Sequence, residues 1–205
     1  MPSPTSQDLI FFGDSLTAGY GLPAAASFPA LIQQKLNAAG LPFRALNYGV
    51  SGETSAGGRQ RLAAVLARHP APAAWVLALG ANDGLRGMPV AETTANLRAM
   101  LYAVRAASPE TRLLLAGLDF PFELPTLPVP GLGRYAQEFS ALFARLAADE
   151  RVALVPSLLA GVLGRPALNL ADRVHPNAAG QQVLAANVWA VLGPLLGESV
   201  AVGGS

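Results

Sequence analysis

The sequence predicts an α/β fold: one domain, with a five-stranded parallel sheet between two layers of helices. Three observations lead to it. Five short apolar runs alternate with segments of helical length whose apolar residues recur every three or four positions. The runs are nearly continuous in apolar residues, as strands buried on both faces are, rather than alternating. The first three end on glycine and small polar residues, the composition of turns at the carboxyl edge of a sheet. Strand–helix alternation of this length fits a three-layer α/β/α arrangement with the flavodoxin-like strand order 2-1-3-4-5.

Leu9 to Phe12 is the first strand and runs straight into Gly13-Asp14-Ser15. Ser27-Phe28-Pro29 reads as a helix start, with Ser27 as N-cap and proline in the first turn. Phe28, Leu31, Ile32 and Leu36 mark the buried face, and Gly40 fits the end. Phe43 to Tyr48 is the second strand, ended by Gly49. A small polar loop, Val50 to Ser55, leads to a helix from about Gly58 to Arg68. Ala73 to Leu79 is the third strand, ending at Gly80-Ala81-Asn82-Asp83. Val90, Thr94, Leu97, Leu101 and Val104 lie along one face of a long helix. Arg112 to Leu118 is the fourth strand. The proline-rich stretch from Asp119 to Gly133 reads as the longest loop. Tyr135 to Leu146 is helical, Arg151 to Val155 is the fifth strand, and Pro156 to Ala171 is irregular, with one helical turn. The last helix follows Asn177 and runs to about Leu196. The expected boundaries are a flexible segment over residues 1–7, the folded domain over 8–196 and a flexible tail over 197–205.

Composition excludes several classes. Of the 205 residues, 52% are hydrophobic and 13% charged, which argues against disorder. The longest uncharged stretch, Val174 to Gly197, is interrupted by Pro176, Asn177, Gly180, Gln181, Gln182, Asn187 and Pro194. It reads as a buried helix with a polar start rather than a membrane span. A net charge of +1 with scattered arginines carries no nucleic-acid stripe or polybasic membrane patch. As the sequence stands no signal peptide opens it, which points to the cytoplasm; a trimmed leader would point to the periplasm or outside the cell. With no cysteine there is no disulfide and no thiolate chemistry, and with only His69 and His175 a histidine-rich zinc site is ruled out. No metal or cofactor is expected, and the oligomeric state is not readable.

In a parallel sheet, the turns after the first three strands share one edge. The Asp172-Arg173-Val174-His175 segment before the last helix belongs to a loop that covers the same edge. A serine, two glycine-rich turns, an asparagine and an Asp-x-x-His therefore converge. Acyl transfer needs such a set. A serine hydroxyl is a poor nucleophile until a base takes its proton. His175 is the better base, because His69 lies near a helix end and reads as a solvated or capping residue. Asp172, three positions before His175, can fold back to accept the other ring N–H and hold the tautomer. The N–H groups of Ser15 and Gly52 and the side-chain amide of Asn82 are the candidate oxyanion donors. Gly52 suits that task because it lets backbone approach a substrate closely.

GDSLTAGYG (Gly13 to Gly21), GVSGETS (Gly49 to Ser55), GANDGLRG (Gly80 to Gly87) and DRVHPN (Asp172 to Asn177) resemble, in order, the four signature blocks of the SGNH/GDSL hydrolases. The resemblance spans nearly the whole chain, and its wording is nearest the bacterial acyl-CoA thioesterase I, arylesterase and lysophospholipase branch. It implies Ser15 as nucleophile, Gly52 and Asn82 as oxyanion donors, Asp172 as the orienting acid and His175 as base, in agreement with the reading from the residues. One segment departs. The branch carries a Pro-Pro-Asn-Tyr/Leu-Gly type sequence after the fourth strand, where this chain has the longer DFPFELPTLPVPGLGRY. In the family that loop borders the acyl groove, so Phe120, Phe122 and Leu124 are candidates either to line an acyl pocket or to pack the loop onto the body.

The expected activity is hydrolysis of small-molecule carboxylic esters through an acyl-enzyme, with aryl and short-to-medium acyl esters preferred and acyl thioesters or lysophospholipids as extensions. A carbohydrate-ester deacetylase or acyltransferase would use the same triad. A nucleotide- or phosphate-binding module would use the same glycine-rich edge, but the chain lacks GxGxxG and Walker A sequences and would leave Asp172 and His175 without purpose. Asp14 and Asp83 read as turn-holding carboxylates, Glu53 as a solvated loop charge and Arg86 as a brace for the Asn82 loop.

Overall fold

The computed structural model describes residues 7–119 and 132–202, apart from the side chains at 132 and 198–202. Five parallel strands, β1 (Gln7–Gly13), β2 (Phe43–Gly49), β3 (Ala74–Ala78), β4 (Arg112–Ala116) and β5 (Ala153–Val155), form one sheet in the order β2-β1-β3-β4-β5. This is the expected order. β1 is central, with Gln7 opposite Phe43 on one side and Leu9 opposite Ala74 on the other. Leu9, Ile10, Phe11 and Phe12 are wholly buried. Each such side chain removed from water contributes about 1.5–3 kcal/mol, which is why this run takes the middle of the sheet.

Among the described residues seven α-helices follow in chain order: α1 (Ser15–Ala18), α2 (Phe28–Ala38), α3 (Ser55–Arg68), α4 (Ala81–Leu85), α5 (Val90–Ala107), α6 (Leu132–Glu150) and α7 (Ala178–Val202). α2 packs with α7, and α3 with α5 and α5 with α6, so both faces of the sheet are covered. α7 buries Leu184, Val188, Leu192 and Leu196 at four-residue spacing and continues beyond the expected end at Leu196. Among the described residues no helix is long and apolar enough to cross a membrane; the apolar excess fills the core.

Three local expectations are revised and one pair of alternatives is decided. The short helices α1 and α4, at the carboxyl ends of β1 and β3, were not legible: four or five residues are too few to show a helical period. α3 begins at Ser55 rather than near Gly58, because the Thr54 side chain accepts the Gly57 N–H and starts the helix earlier. Ser27 occupies the N-cap of α2, but its hydroxyl donates to the Ala24 carbonyl, and the Phe28 N–H is received instead by Gln181 Oε1 at 2.7 Å. Of the two readings of His69 the capping one holds, since it is the C-cap of α3, and its ring is largely withdrawn from solvent. Its ring sits between Asp8 Oδ2 and the Tyr48 hydroxyl, 2.7 Å from each, and ties α3 to β1 and β2. The segments expected to be loose at 1–7 and 197–205 fall partly outside the described residues; within them, Gln7 begins β1 and α7 runs to Val202. Phe120, Phe122 and Leu124 also lie outside the described residues.

Candidate active site

Ser15 opens α1 at the carboxyl end of β1. Asp14 is the N-cap, and its Oδ1 accepts the Leu16 N–H at 3.0 Å. Gly13 is required by space: a Cβ there would stand 2.1 Å from the Thr17 hydroxyl oxygen and 2.6 Å from the Ala78 carbonyl oxygen. Only a glycine lets β1 end against β3 and turn at once into the helix. The other Asp14 oxygen, Oδ2, is buried without a hydrogen-bond partner among the described residues. Burial pushes this carboxyl up to about 7, the Leu16 N–H opposes that rise, and the charges of Glu53 and Asp83 add to it.

His175 arrives from a loop closed on itself. Asn177 Nδ2 donates to the carbonyls of Ala167 and Asn169, and its Oδ1 caps the start of α7 through the N–H groups of Ala179 and Gly180. Within the loop Arg173 adopts φ 60°, a left-handed conformation costly for a residue with a Cβ. That turn lets Asp172 fold back. Its Oδ1 accepts the N–H groups of Val174 at 2.9 Å and His175 at 3.0 Å, and its Oδ2 lies 2.7 Å from His175 Nδ1. The His175 backbone N–H, then its ring, then the Val174 N–H hold the Asp172 carboxyl down at about 2. An ionised Asp172 accepts from Nδ1–H, which leaves Nε2 free to accept, and Ser15 Oγ stands 3.0 Å from Nε2. The Tyr20 ring packs over the imidazole at a centroid distance of 4.3 Å.

The turns after β2 and β3 meet on the same edge. Gly52 has φ 78°, a left-handed position with open space where a Cβ would stand. The left-handed backbone of the turn, rather than any neighbouring atom, is what calls for glycine here. Asn82 Nδ2 donates to the Glu53 carbonyl at 3.0 Å, and an Arg86 guanidinium nitrogen donates to the Gly52 carbonyl at 3.0 Å, so the brace expected of Arg86 is present. Asp83 is buried and accepts both the N–H and the hydroxyl of Ser55, which joins α4 to the start of α3. Glu53 is not solvated as expected. Its side chain is 8% exposed and ion-paired with Arg61, which also donates to the carbonyls of Gly13 and Tyr48 and lies 3.8 Å over the Phe12 ring. Arg61 therefore holds the ends of β1 and β2 and the Gly52 turn together. Its eight-residue separation from Glu53 matches no simple helical pairing, so no sequence signal pointed to it.

Beside Ser15 is an apolar pocket of about 170 Å³, lined by Leu16, Leu85, Leu118, Phe139, Leu163 and Val174 among others. Leu16 follows Ser15 and Val174 precedes His175, so the chain neighbours of both groups line this pocket. Larger clefts of about 360 Å³ between α2 and α7 and about 290 Å³ around Asp8 and His69 hold none of these groups. Volume alone does not locate the chemistry. Among the described residues no group of histidines and carboxylates could hold a metal ion.

A parallel α/β sheet bearing a linked carboxylate, imidazole and hydroxyl at its carboxyl edge, next to an apolar pocket, describes the acyl-hydrolase class of enzyme. The chain belongs to the GDSL-like lipase/acylhydrolase family, whose model matches residues 11–183, and is a carboxylic ester hydrolase of the SGNH/GDSL type. It is 42% identical over 192 residues to the esterase TesA of Pseudomonas aeruginosa, covering 93% of this chain and 90% of that protein. It is 36% identical to thioesterase 1/protease 1/lysophospholipase L1 of Escherichia coli K12, covering 92% and 84% respectively. A crystal structure of TesA superposes with a TM-score of 0.84 at 41% identity, covering 92% of this chain and 99% of that one.

Proposed function

We propose that the protein is a serine esterase with Ser15 as nucleophile, His175 as base and Asp172 as the orienting carboxylate, acting on aryl and short-to-medium acyl esters. The observation that carries this reading is the 3.0 Å approach of Ser15 Oγ to His175 Nε2, with Leu16 and Val174, the chain neighbours of the two, lining the apolar pocket. His175 Nε2 takes the hydroxyl proton as Oγ attacks the ester carbonyl. Ionised Asp172 stabilises the imidazolium that results. The oxyanion is met by the N–H groups of Ser15 and Gly52 and by Asn82 Nδ2. The imidazolium then protonates the leaving alkoxide, or the thiolate of a thioester, and the carbon–oxygen or carbon–sulfur bond breaks. Water attacks the acyl-enzyme with His175 as base and restores the serine.

The pocket suits the acyl group: its walls are almost wholly apolar, and it begins beside the residue that would carry the acyl chain. The Escherichia coli relative's name includes thioesterase, which extends the reading to acyl thioesters. The test is Ser15→Ala against a chain-length series of p-nitrophenyl esters and acyl-CoAs. The variant is expected to keep the fold and to lose at least about 10³-fold in kcat, and to escape labelling by a fluorophosphonate. Near-normal turnover by the alanine variant removes Ser15 from the mechanism.

A further inference from the structure

We propose that the rim of the Ser15 cleft is a docking surface for an anionic phospholipid surface, from which the ester is drawn into the pocket. The proposal rests on the esterase reading above. Six large apolar side chains are exposed among the described residues: Tyr20, Val50, Leu85, Tyr102, Leu163 and Val174. Exposed apolar residues scattered singly need no explanation. These are not scattered. Tyr20 stacks on His175. Val50 opens the turn that carries Gly52, its carbonyl accepting the Glu53 N–H. Leu85, Leu163 and Val174 line the mouth of the pocket. Only Tyr102, on α5, stands apart among the six.

Three segments thus line the opening with apolar side chains, a fourth lays Tyr20 on the imidazole, and a fifth exposes Val50 two residues before Gly52. The pocket does not account for all of them, because Tyr20 and Val50 do not line it. The occupant is narrowed by what the opening must do. A protein bound across the rim would close the way to Ser15. A lipid surface leaves the way open, because the acyl ester itself comes from the covering phase, and the apolar rim is continuous with the apolar pocket. Charge selects the kind of lipid. Arg173 lines the pocket and Arg86 follows the lining residue Leu85, with its guanidinium donating to the Gly52 carbonyl; both are exposed, and neither has an ion pair among the described residues. The Asp172 carboxylate is taken up by His175 and two backbone N–H groups. Among the described residues that line the pocket, Asp119 is the one carboxylate and Arg173 the one guanidinium. Apolar side chains that enter the acyl boundary with guanidinium groups at phosphate level are the elements of interfacial binding.

The binding test uses Ser15→Ala protein, so that turnover plays no part. It is mixed with vesicles of phosphatidylcholine containing a minority of phosphatidylglycerol, and with vesicles of phosphatidylcholine alone, and sedimented. The protein is expected to partition to the mixed vesicles and less to the pure ones, and high salt is expected to weaken the binding. Adding Val50→Asp and Leu85→Asp should lower the partition coefficient about tenfold for each position. Val50→Asp alone, in the active protein, should leave hydrolysis of a soluble p-nitrophenyl ester unchanged. Equal partitioning with and without the two substitutions overturns the proposal. So does a dimer, seen by sedimentation equilibrium, that the same substitutions dissolve, because the rim is then covered by a second copy. Loss of ester hydrolysis in the unsubstituted protein would instead strike the esterase reading, and the vesicle result would be read separately.

Discussion

Ser15 and His175 are 160 positions apart in the chain, and Oγ of one lies 3.0 Å from Nε2 of the other. Gln181, on the first turns of α7, secures that approach. Its Nε2 donates to the Leu16 carbonyl at 3.2 Å, and its Oε1 receives the Phe28 N–H at 2.7 Å. One buried amide therefore links the helix behind His175 to the turn that carries Ser15 and to the start of α2.

Replacing Gln181 by leucine keeps the volume and removes both bonds. The Phe28 N–H and the Leu16 carbonyl are then buried without partners, at a cost of about 1–3 kcal/mol. Thermal unfolding should move down by several degrees. The rate of labelling by a fluorophosphonate should fall as well, because the Ser15 turn loses its anchor to α7. An unchanged labelling rate with a lowered Tm would confine Gln181 to stability.

Asn82 is proposed as an oxyanion donor and is seen as a tie to the Glu53 carbonyl, and kinetics separate the two parts. As an oxyanion donor its amide acts in the transition state, so Asn82→Ala should lower kcat on the order of 10²–10³-fold with little change in KM. As a tie to the Glu53 carbonyl it only shapes the turn. A rise in KM at constant kcat would assign it the second part alone.

Asp14 predicts a stability that falls as pH rises. Its carboxyl is raised to about 7 by burial, so the native state binds more protons than the unfolded chain from about pH 4 to about pH 7. The contribution is present in full below that window and is lost as pH rises through it. Asp14→Asn mimics the neutral acid and has nothing to ionise. Relative to the parent, the variant should gain on the order of a few kcal/mol between pH 4 and pH 8, measured by denaturant unfolding at both. A parent-to-variant difference that does not change with pH would show that Asp14 is ionised in both states.

Asp172 predicts the opposite sign. Three hydrogen bonds lower its carboxyl to about 2, so the native state binds fewer protons than the unfolded chain between about pH 4 and pH 2. Its contribution is in full above that window and is lost as pH falls through it. Because the side chain is 39% exposed, solvent weakens the effect. Asp172→Asn should lose on the order of 10⁴-fold in kcat, and its stability deficit against the parent should shrink as pH is lowered below 4. An activity inflection from Asp172 anywhere above pH 4 would contradict the geometry.

The sheet and the main parts of the site were legible because their signals are local. Leu9 to Phe12 is a buried strand by composition alone, and Gly13-Asp14-Ser15 a turn by residue type. Asp172 and His175 are close enough in sequence for a single turn to join them. α1 and α4 are not legible because neither is long enough to show a period. Glu53 reads as solvated because it sits in a small polar loop, and only the fold sets Arg61 against it.

By itself the sequence determined the order of strands and helices, the identity of the turns at the carboxyl edge and the chemical types that meet there. Those properties follow from periodicity and from what glycine, serine, histidine and aspartate can do. Tertiary structure alone decided that Gln181 caps α2 from 153 positions away, that Arg61 draws Glu53 out of water, and that Arg173 takes a left-handed turn so that Asp172 can face His175. It also decided that Asp14 is buried deeply enough to hold a proton. Burial and long-range pairing depend on which segments the sheet brings side by side, and no window of neighbouring residues contains that information.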